Sequence, residues 1–281
     1  MARSPFDVSV IVAVRNGAET LAQCIESVLG QTGCTVELLV VDGMSTDGTQ
    51  GVIRLYADRI ATYIREPDGG IYDAWNKALG VARGEWCAFL GADDHFSGDD
   101  SLAALLRTAR EPGPVPVFVH GGILRVGGPE DFAVHPDPVD PRAFLRSGRM
   151  LPHQGFLHRV EALRAIGGFD TSYRILGDFD AALKLADIGG IRRCPEIVTH
   201  MRIGGLSNRW STSRAIAREK FRALHSSVGL RVAVRHHLVT RWPQVAGRAV
   251  EQTVLRIFGR SRGIALLLNL RRRIGRPPKL I

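Results

Sequence analysis

The acids of this chain collect where apolar runs stop. Asp42 closes the run Glu37–Val41, and Asp93 and Asp94 follow Glu85–Leu90 after Gly91 and Ala92. Adjacent carboxylates on a tight loop can present oxygens to one divalent cation, and Mg²⁺ or Mn²⁺ takes such hard ligands. The same residues also read as a capping run ahead of a helix, leading into Ser97–Asp100. Asp68 precedes Gly69 and Gly70, where a ligand can approach the backbone closely. Asp178 and Asp180 stand two apart in a helical stretch, so their side chains point about 200° apart and only one can face a given site. His153 and Gln154 precede a strand. Lys77 lies on a helix, where it either reaches a phosphate or is simply solvated.

The elements that must carry these residues alternate. Val8–Val14 is a continuous apolar run, as expected of a strand covered on both faces. Leu21, Ile25, Val28 and Leu29 follow at helical spacing; Val52, Tyr56 and Ile60 mark a second helix and Ile71, Ala74, Trp75, Ala78, Leu79 and Ala82 a third. Strand–helix alternation predicts a parallel sheet with helices on both faces. In such sheets the ligand crevice lies beyond the carboxyl ends of the strands, which is where Asp42, Asp93 and Asp94 fall. Residues 111–141 are rich in Pro and Gly, with short β-like runs at Val115–Val119, Gly122–Val126 and Phe132–Val134, expected as strands and loops added around an acceptor side. A strand over Gln154–His158, a helix over Asp178–Asp187 and a strand over Ile191–Val198 complete the body.

Four stretches then resemble one known family: Val41-Asp-Gly-Met-Ser-Thr-Asp-Gly-Thr49, Glu66-Pro-Asp-Gly-Gly-Ile-Tyr-Asp-Ala-Trp-Asn-Lys77, Phe89-Leu-Gly-Ala-Asp-Asp94, and His153-Gln154 with Gly177-Asp-Phe-Asp180. Their order and spacing are similar to those of the family 2 glycosyltransferases, and Gly204-Gly-Leu-Ser207 agrees. The whole chain also resembles actinobacterial sugar transferases of phenolic glycolipid and exopolysaccharide assembly. The resemblance implies an α/β fold of the GT-A type, a Rossmann-like mixed sheet flanked by helices. It further implies inverting transfer of a sugar from a nucleoside-diphosphate sugar to a hydroxyl of a lipid-linked or polysaccharide acceptor. Asp93 matches the metal-binding carboxylate of the family's Asp-x-Asp motif, with Asp94 beside it and Gly91 where the first Asp would stand. Asp42 matches the acid that contacts base or ribose. Its plainer reading is a turn residue before Gly43. Val14, Arg15, Asn16, Asp68, Gly69 and Lys77 are expected to hold the donor. Asp178 is the expected general base, with Gly177 where an acid often stands and Asp180 as competitor. His153 and Gln154 are expected at the acceptor or phosphate, against the plainer reading of His153 as structural. Gly204–Ser207 is expected as a loop closing over the nucleotide.

Composition bounds the rest. With 45% hydrophobic and 23% charged residues the chain reads as an ordinary globular protein. Cys24, Cys34, Cys87 and Cys194 form no CxxC pair and no zinc-spaced cluster, which favours a reducing compartment. The N-terminal apolar run reads as a strand and not as a signal peptide, and no stretch reaches the roughly 18 apolar residues of a spanning helix. A cytoplasmic protein, peripheral at the inner face of the membrane, is expected. The charge is uneven: residues 209–281 hold 17 of the 37 Lys+Arg and 2 of the 28 Asp+Glu, leaving 20 and 26 in residues 1–208. The expected division is therefore a catalytic body over 1–208, with a nucleotide-sugar half to about 110 and an acceptor half from about 111, followed by a basic amphipathic helical tail over 209–281. Aliphatic residues, Trp210 and Trp242 interleave with arginines there, a pattern that favours an anionic membrane surface over a helical cap, with no nucleic-acid partner. Two other classes compete. A nucleotidyltransferase needs a basic, Gly-rich phosphate loop after the first strand, where only Arg15–Asn–Gly–Ala–Glu19 stands. A non-catalytic nucleotide-sugar-binding module is opposed by the full set of carboxylates.

Overall fold

The computed structural model describes residues 4–128, 130–135, 140–150, 152–203 and 213–236. The predicted loop Gly204–Ser207, Trp210, Trp242 and most of the predicted tail lie outside these residues. A compact unit runs from Met1 to Val228, and a second from Gly229 to Ile281. The helix α8 (Ser213–Val228) thus belongs with the body, whereas the sequence placed the boundary at 208. Of the second unit only residues 229–236 are described, and residues 230–236 are helical.

Four parallel strands build the first half: β1 (Phe6–Val14), β2 (Val36–Asp42), β3 (Thr62–Arg65) and β4 (Gly84–Gly91), in the order β3-β2-β1-β4. The helices α1 (Leu21–Leu29), α2 (Thr49–Leu55) and α3 (Ile71–Val81) connect them. Successive strand side chains point to opposite faces. Val8, Val10, Val12, Leu38, Val40 and Leu90 therefore share one core with Leu21, Ile25 and Val28 of α1. On the other face Phe89 meets Trp75 of α3 at 4.9 Å. Burial on both faces explains why these strands read as unbroken apolar runs.

The second half turns the sheet mixed. After α4 (Ser101–Ala109) come β6 (Phe118–Val126) and β7 (Phe132–Val134), then α5 (Pro141–Arg146), β8 (Phe156–Arg159), α6 (Val160–Ala165), α7 (Gly177–Ile188) and β9 (Ile191–Arg202). β8 runs antiparallel to both β4 and β6, while β9 runs parallel to β6 and antiparallel to the two-residue β5 (His95–Phe96). The 111–134 segment, expected as strands and loops on the acceptor side, supplies β6 to the sheet between β8 and β9, with Phe118, Val119 and Ile123 fully buried. Val115, predicted to open that strand, lies outside it and is exposed.

Candidate functional site

The donor loops leave the sheet side by side. Val14 pairs with Asp42 and Ala13 with Gly91, so β2, β1 and β4 end at one level, about 4.8 Å from strand to strand. Beyond β1, Arg15 is exposed and Asn16 takes φ 56°, a left-handed conformation that Asn tolerates. Its N–H donates to Ser45 Oγ at 2.8 Å, and its Oδ1 accepts from Thr46 N at 2.9 Å, which locks the β1 and β2 loops together.

Asp42 is fully buried. Oδ1 accepts from Ser45 N at 2.7 Å; Oδ2 accepts from Tyr63 Oη at 3.2 Å and faces Arg65 Nε at 3.4 Å. Its carboxylate thus holds the loop that follows it. The acid that lines the ligand space is Asp68, and a Cβ on Gly43 would collide with its Oδ2. Only a glycine lets that carboxylate cross the β2 turn. Gly70 N donates to Asp68 Oδ1 at 3.1 Å and keeps it there. Lys77 braces the same loop: its ammonium contacts Glu66 at 2.9 Å, Asp73 at 3.1 Å and the Pro67 carbonyl at 2.8 Å.

These segments enclose a cleft of about 660 Å³, within the usual range for a small-molecule site. Ala13–Arg15, Asp68–Ala74 and Thr171–Arg174 line it. Val14, Arg15, Asp68 and Gly69 of the expected donor set are therefore brought together. Lys77, Asp42 and Asn16 are not among the lining residues, and their contacts are to the loops that carry the lining.

Asp93 and Asp94 share the next strand end. A Cβ on Gly91 would lie 2.8 Å from Asp93 Oδ1 and 3.0 Å from Asp94 Oδ2, so both carboxylates fold back over the glycine. Asp93 is exposed. Asp94 is buried, and its Oδ1 accepts from Arg202 N at 3.1 Å and its Oδ2 from Gly91 N at 3.3 Å. Burial, and then the charge of Asp93, push Asp94 up to about 7, while a hydrogen bond with Gln154 works the other way. A divalent cation would relieve the burial and charge cost that Asp94 meets beside Asp93. Among the described residues no three His, Cys, Asp or Glu side chains gather as a metal cluster. The pair nevertheless fits Mg²⁺ or Mn²⁺, which commonly binds through one or two carboxylates together with substrate phosphates.

The third acid reaches the cleft through Tyr72. Tyr72 lines the cleft, and its hydroxyl lies 2.7 Å from the Ile175 carbonyl and 3.2 Å from Asp178 Oδ1. A Cβ on Gly177 would meet the Tyr72 ring at 2.8 Å, so the phenol occupies the space a side chain at 177 would need. Asp178 is half-buried, at the start of α7. Burial raises it to about 7 against hydrogen bonds from Phe179 N and Tyr72. Asp180 is buried, accepts at 3.0 Å from the hydroxyl of Tyr173, which also lines the cleft, and pairs with Lys184 Nζ at 2.7 Å.

His153 lies deeper. Its ring is 4% exposed, stacks on Trp75 at 4.9 Å and meets His158, Nε2 to Nε2, at 2.9 Å. Burial holds it at about 3 and so neutral. With Phe156, Met150 and Asp178 it lines a narrow crevice that has no room for a water molecule. Three participants are not evident from the sequence. Tyr72 stands inside the Gly-Gly-Ile-Tyr-Asp motif but falls outside the apolar stripe of that helix and carries no expected role. Arg202 contributes only its backbone. Thr171–Arg174 carries no motif.

The family model described as Glycosyl transferase family 2 matches residues 9–164. The chain belongs to glycosyltransferase family 2. Among the relatives of this glycosyltransferase, the PGL/p-HBAD biosynthesis glycosyltransferase of Mycobacterium bovis is 31% identical over 88% of this chain and 95% of its own length. The succinoglycan biosynthesis protein ExoO of Rhizobium meliloti is 29% identical over 72% of this chain and 62% of its own. Two solved structures share the GT-A fold. The mannosyltransferase PcManGT from Pyrobaculum calidifontis, in complex with GDP-Man and Mn²⁺, aligns with a TM-score of 0.66 at 22% identity, covering 95% of this chain and 79% of that one. S. aureus TarS 1-349 in complex with UDP-GlcNAc aligns at 0.64 with 16% identity, covering 92% and 83%. The family match ends at 164, so Asp178, Tyr173 and Arg202 all lie beyond it.

Proposed function

We propose that this glycosyltransferase inverts the anomeric centre of a nucleoside-diphosphate sugar as it moves the sugar to a hydroxyl of a lipid-linked or polysaccharide acceptor. One observation carries the reading: Asp178, raised to about 7, is joined by one phenol to the wall of the cleft that Asp68 and Arg15 also line. A carboxylate of that strength accepts a proton near neutral pH and so suits a poor hydroxyl nucleophile. Asp68 and the open backbone of Gly69 and Gly70 hold the nucleoside; Arg15 offers a charge to the diphosphate. Asp42, Asn16 and Lys77 fix the loops that do so. Asp93, supported by Asp94 and Gln154, holds Mg²⁺ or Mn²⁺, which neutralises the leaving diphosphate when bound. His153 forms the neutral floor behind Asp178.

The names of the relatives support the acceptor class, since one is a PGL/p-HBAD biosynthesis glycosyltransferase and another a succinoglycan biosynthesis protein. Among the described residues no helix is long and apolar enough to cross a membrane. The surplus of arginine beyond residue 209 favours peripheral attachment to an anionic leaflet from the cytoplasm. The test is a melting-temperature screen of UDP- and GDP-sugars with and without Mn²⁺. A donor should raise the midpoint by mass action, and Asp93→Ala should remove the Mn²⁺-dependent part of that rise. A rise that is identical without the metal in the wild type would refute the proposed cation role.

A further inference from the structure

One acid stands out in the basic C-terminal region. Glu219, on α8, is only 6% exposed in a helix whose neighbouring charges are arginine and lysine. Its carboxylate accepts three backbone N–H groups from another part of the chain: Oε1 from Arg174 at 3.0 Å, and Oε2 from Ile175 at 3.0 Å and Leu176 at 2.9 Å. These are the residues just ahead of α7. Leu176, the N-cap of α7, makes no side-chain cap of its own, so the helix start is capped from α8. Two further contacts join the same elements. Arg222 lies over the Tyr173 ring at 3.5 Å, and Lys220 lies near the Phe179 ring at 5.8 Å. The held segment has two ends that matter. Tyr173 and Arg174 line the cleft, and the Ile175 carbonyl is the other acceptor of the Tyr72 hydroxyl that reaches Asp178.

We propose that Glu219 is a positioning residue for the transfer reaction, fixing the 174–176 turn so that Asp178 and the cleft wall keep one geometry. The proposal rests on the reading of Asp178 as the base. α8 thereby makes the C-terminal region part of the machinery beyond any role in attachment. Small displacements of a reacting group carry large rate penalties, and three charge-assisted hydrogen bonds on consecutive amides leave the turn little freedom. Glutamine cannot replace Glu219, because one of its two terminal atoms is a donor and would face backbone N–H groups. Aspartate keeps the charge on a shorter stem. Glu219 also adds to the field that raises Asp178, so its neutralisation lowers the pH at which Asp178 ionises.

The full-length protein is assayed with Mn²⁺ and either UDP-GlcNAc or GDP-mannose, whichever raises the melting midpoint more, by following release of the nucleoside diphosphate into water. Glu219→Gln should lower kcat on the order of tenfold or more with little change in KM, and should shift the acid limb of the pH profile to lower pH. Glu219→Asp should recover part of kcat. Arg222→Ala, which leaves the carboxylate in place, should have a smaller effect in the same direction and serves if Glu219→Gln does not fold. Unchanged kcat and pH profile in folded Glu219→Gln overturn the proposal, as does a rise in KM alone. Asp178→Asn separates the two ideas. If it keeps turnover, the base assignment falls. If it is inactive while Glu219→Gln behaves as wild type, only the positioning role falls.

Discussion

At Gly91 and Gly177, where the resemblance implies acids, the structure shows the space already taken. The carboxylates of Asp93 and Asp94 fold over Gly91, and the Tyr72 ring lies against Gly177. Restoring the missing acid is therefore expected to harm. Gly91→Asp should lower Mn²⁺-dependent release of nucleoside diphosphate about tenfold or more, read from a titration of the metal, since misplaced ligands cost rate steeply. Asp178→Asn should lower turnover by at least about 10²-fold, the scale of general-base catalysis. In the wild type the acid limb of the rate profile should fall near pH 7, where Asp178 ionises: activity rises as the carboxylate forms. The acids themselves are legible from sequence, because strand ends collect ligand groups in parallel sheets. Their division of labour is not. Asp42 is turned inward by Ser45, Tyr63 and Arg65, and only coordinates reveal that the half-buried Asp68 lines the cleft and crosses the β2 turn through a gap at Gly43.

Among the elements, the first half is legible because two-sided burial leaves plain apolar runs, and β1, β2 and β4 begin and end within a residue or two of expectation. β3 escapes notice. It has four residues, alternates between half-buried and exposed, and carries Thr62 and Arg65. α4 is obscured by the acidic run before it, although Leu102, Leu105, Leu106 and Ala109 recur at helical spacing. Gly121 and Gly122 interrupt the pattern of β6, so one strand reads as two runs, Val115–Val119 and Gly122–Val126. A Cβ at Gly121 would lie 2.7 Å from Val198 Cγ2, so close packing against β9 requires the glycine. The junction of α3 with α7 is similarly tight. Gly177→Ala places a methyl 2.8 Å from the Tyr72 ring, and overpacking of this kind costs about 1–3 kcal/mol. A lowered urea midpoint with an unchanged denaturant slope is the expected result.

For the molecule as a whole, two sets of buried groups set opposite pH responses. Asp94 and Asp178 sit near 7 in the fold against an ordinary 3.8, so the folded chain holds protons that the unfolded chain has released. Their contribution is full below the ordinary value and is lost as pH rises through 7. His120 and His153, lowered to about 3, and His158, also lowered, refuse protons that the unfolded chain binds below 6.5. Their contribution is lost as pH falls. Each unmatched proton is worth about 1.4 kcal/mol per pH unit. The double variant Asp94→Asn/Asp178→Asn keeps only the histidine response. Without metal, its unfolding free energy should climb more steeply than that of the wild type between pH 3.8 and 6.5, as chemical denaturation at a series of pH values would show. Beside the cleft, the phenol of Tyr72 bridges the two halves of the body. Tyr72 has one hydroxyl hydrogen and two oxygens within reach, the Ile175 carbonyl and Asp178. While that hydrogen points at the carbonyl, Asp178 goes without it and grips a proton more tightly. Rotation of one O–H bond, in a side chain that also forms the wall of the cleft, is enough to retune the acid across the gap. Tyr72→Phe fixes the hydrogen-free state and should move the acid limb to higher pH.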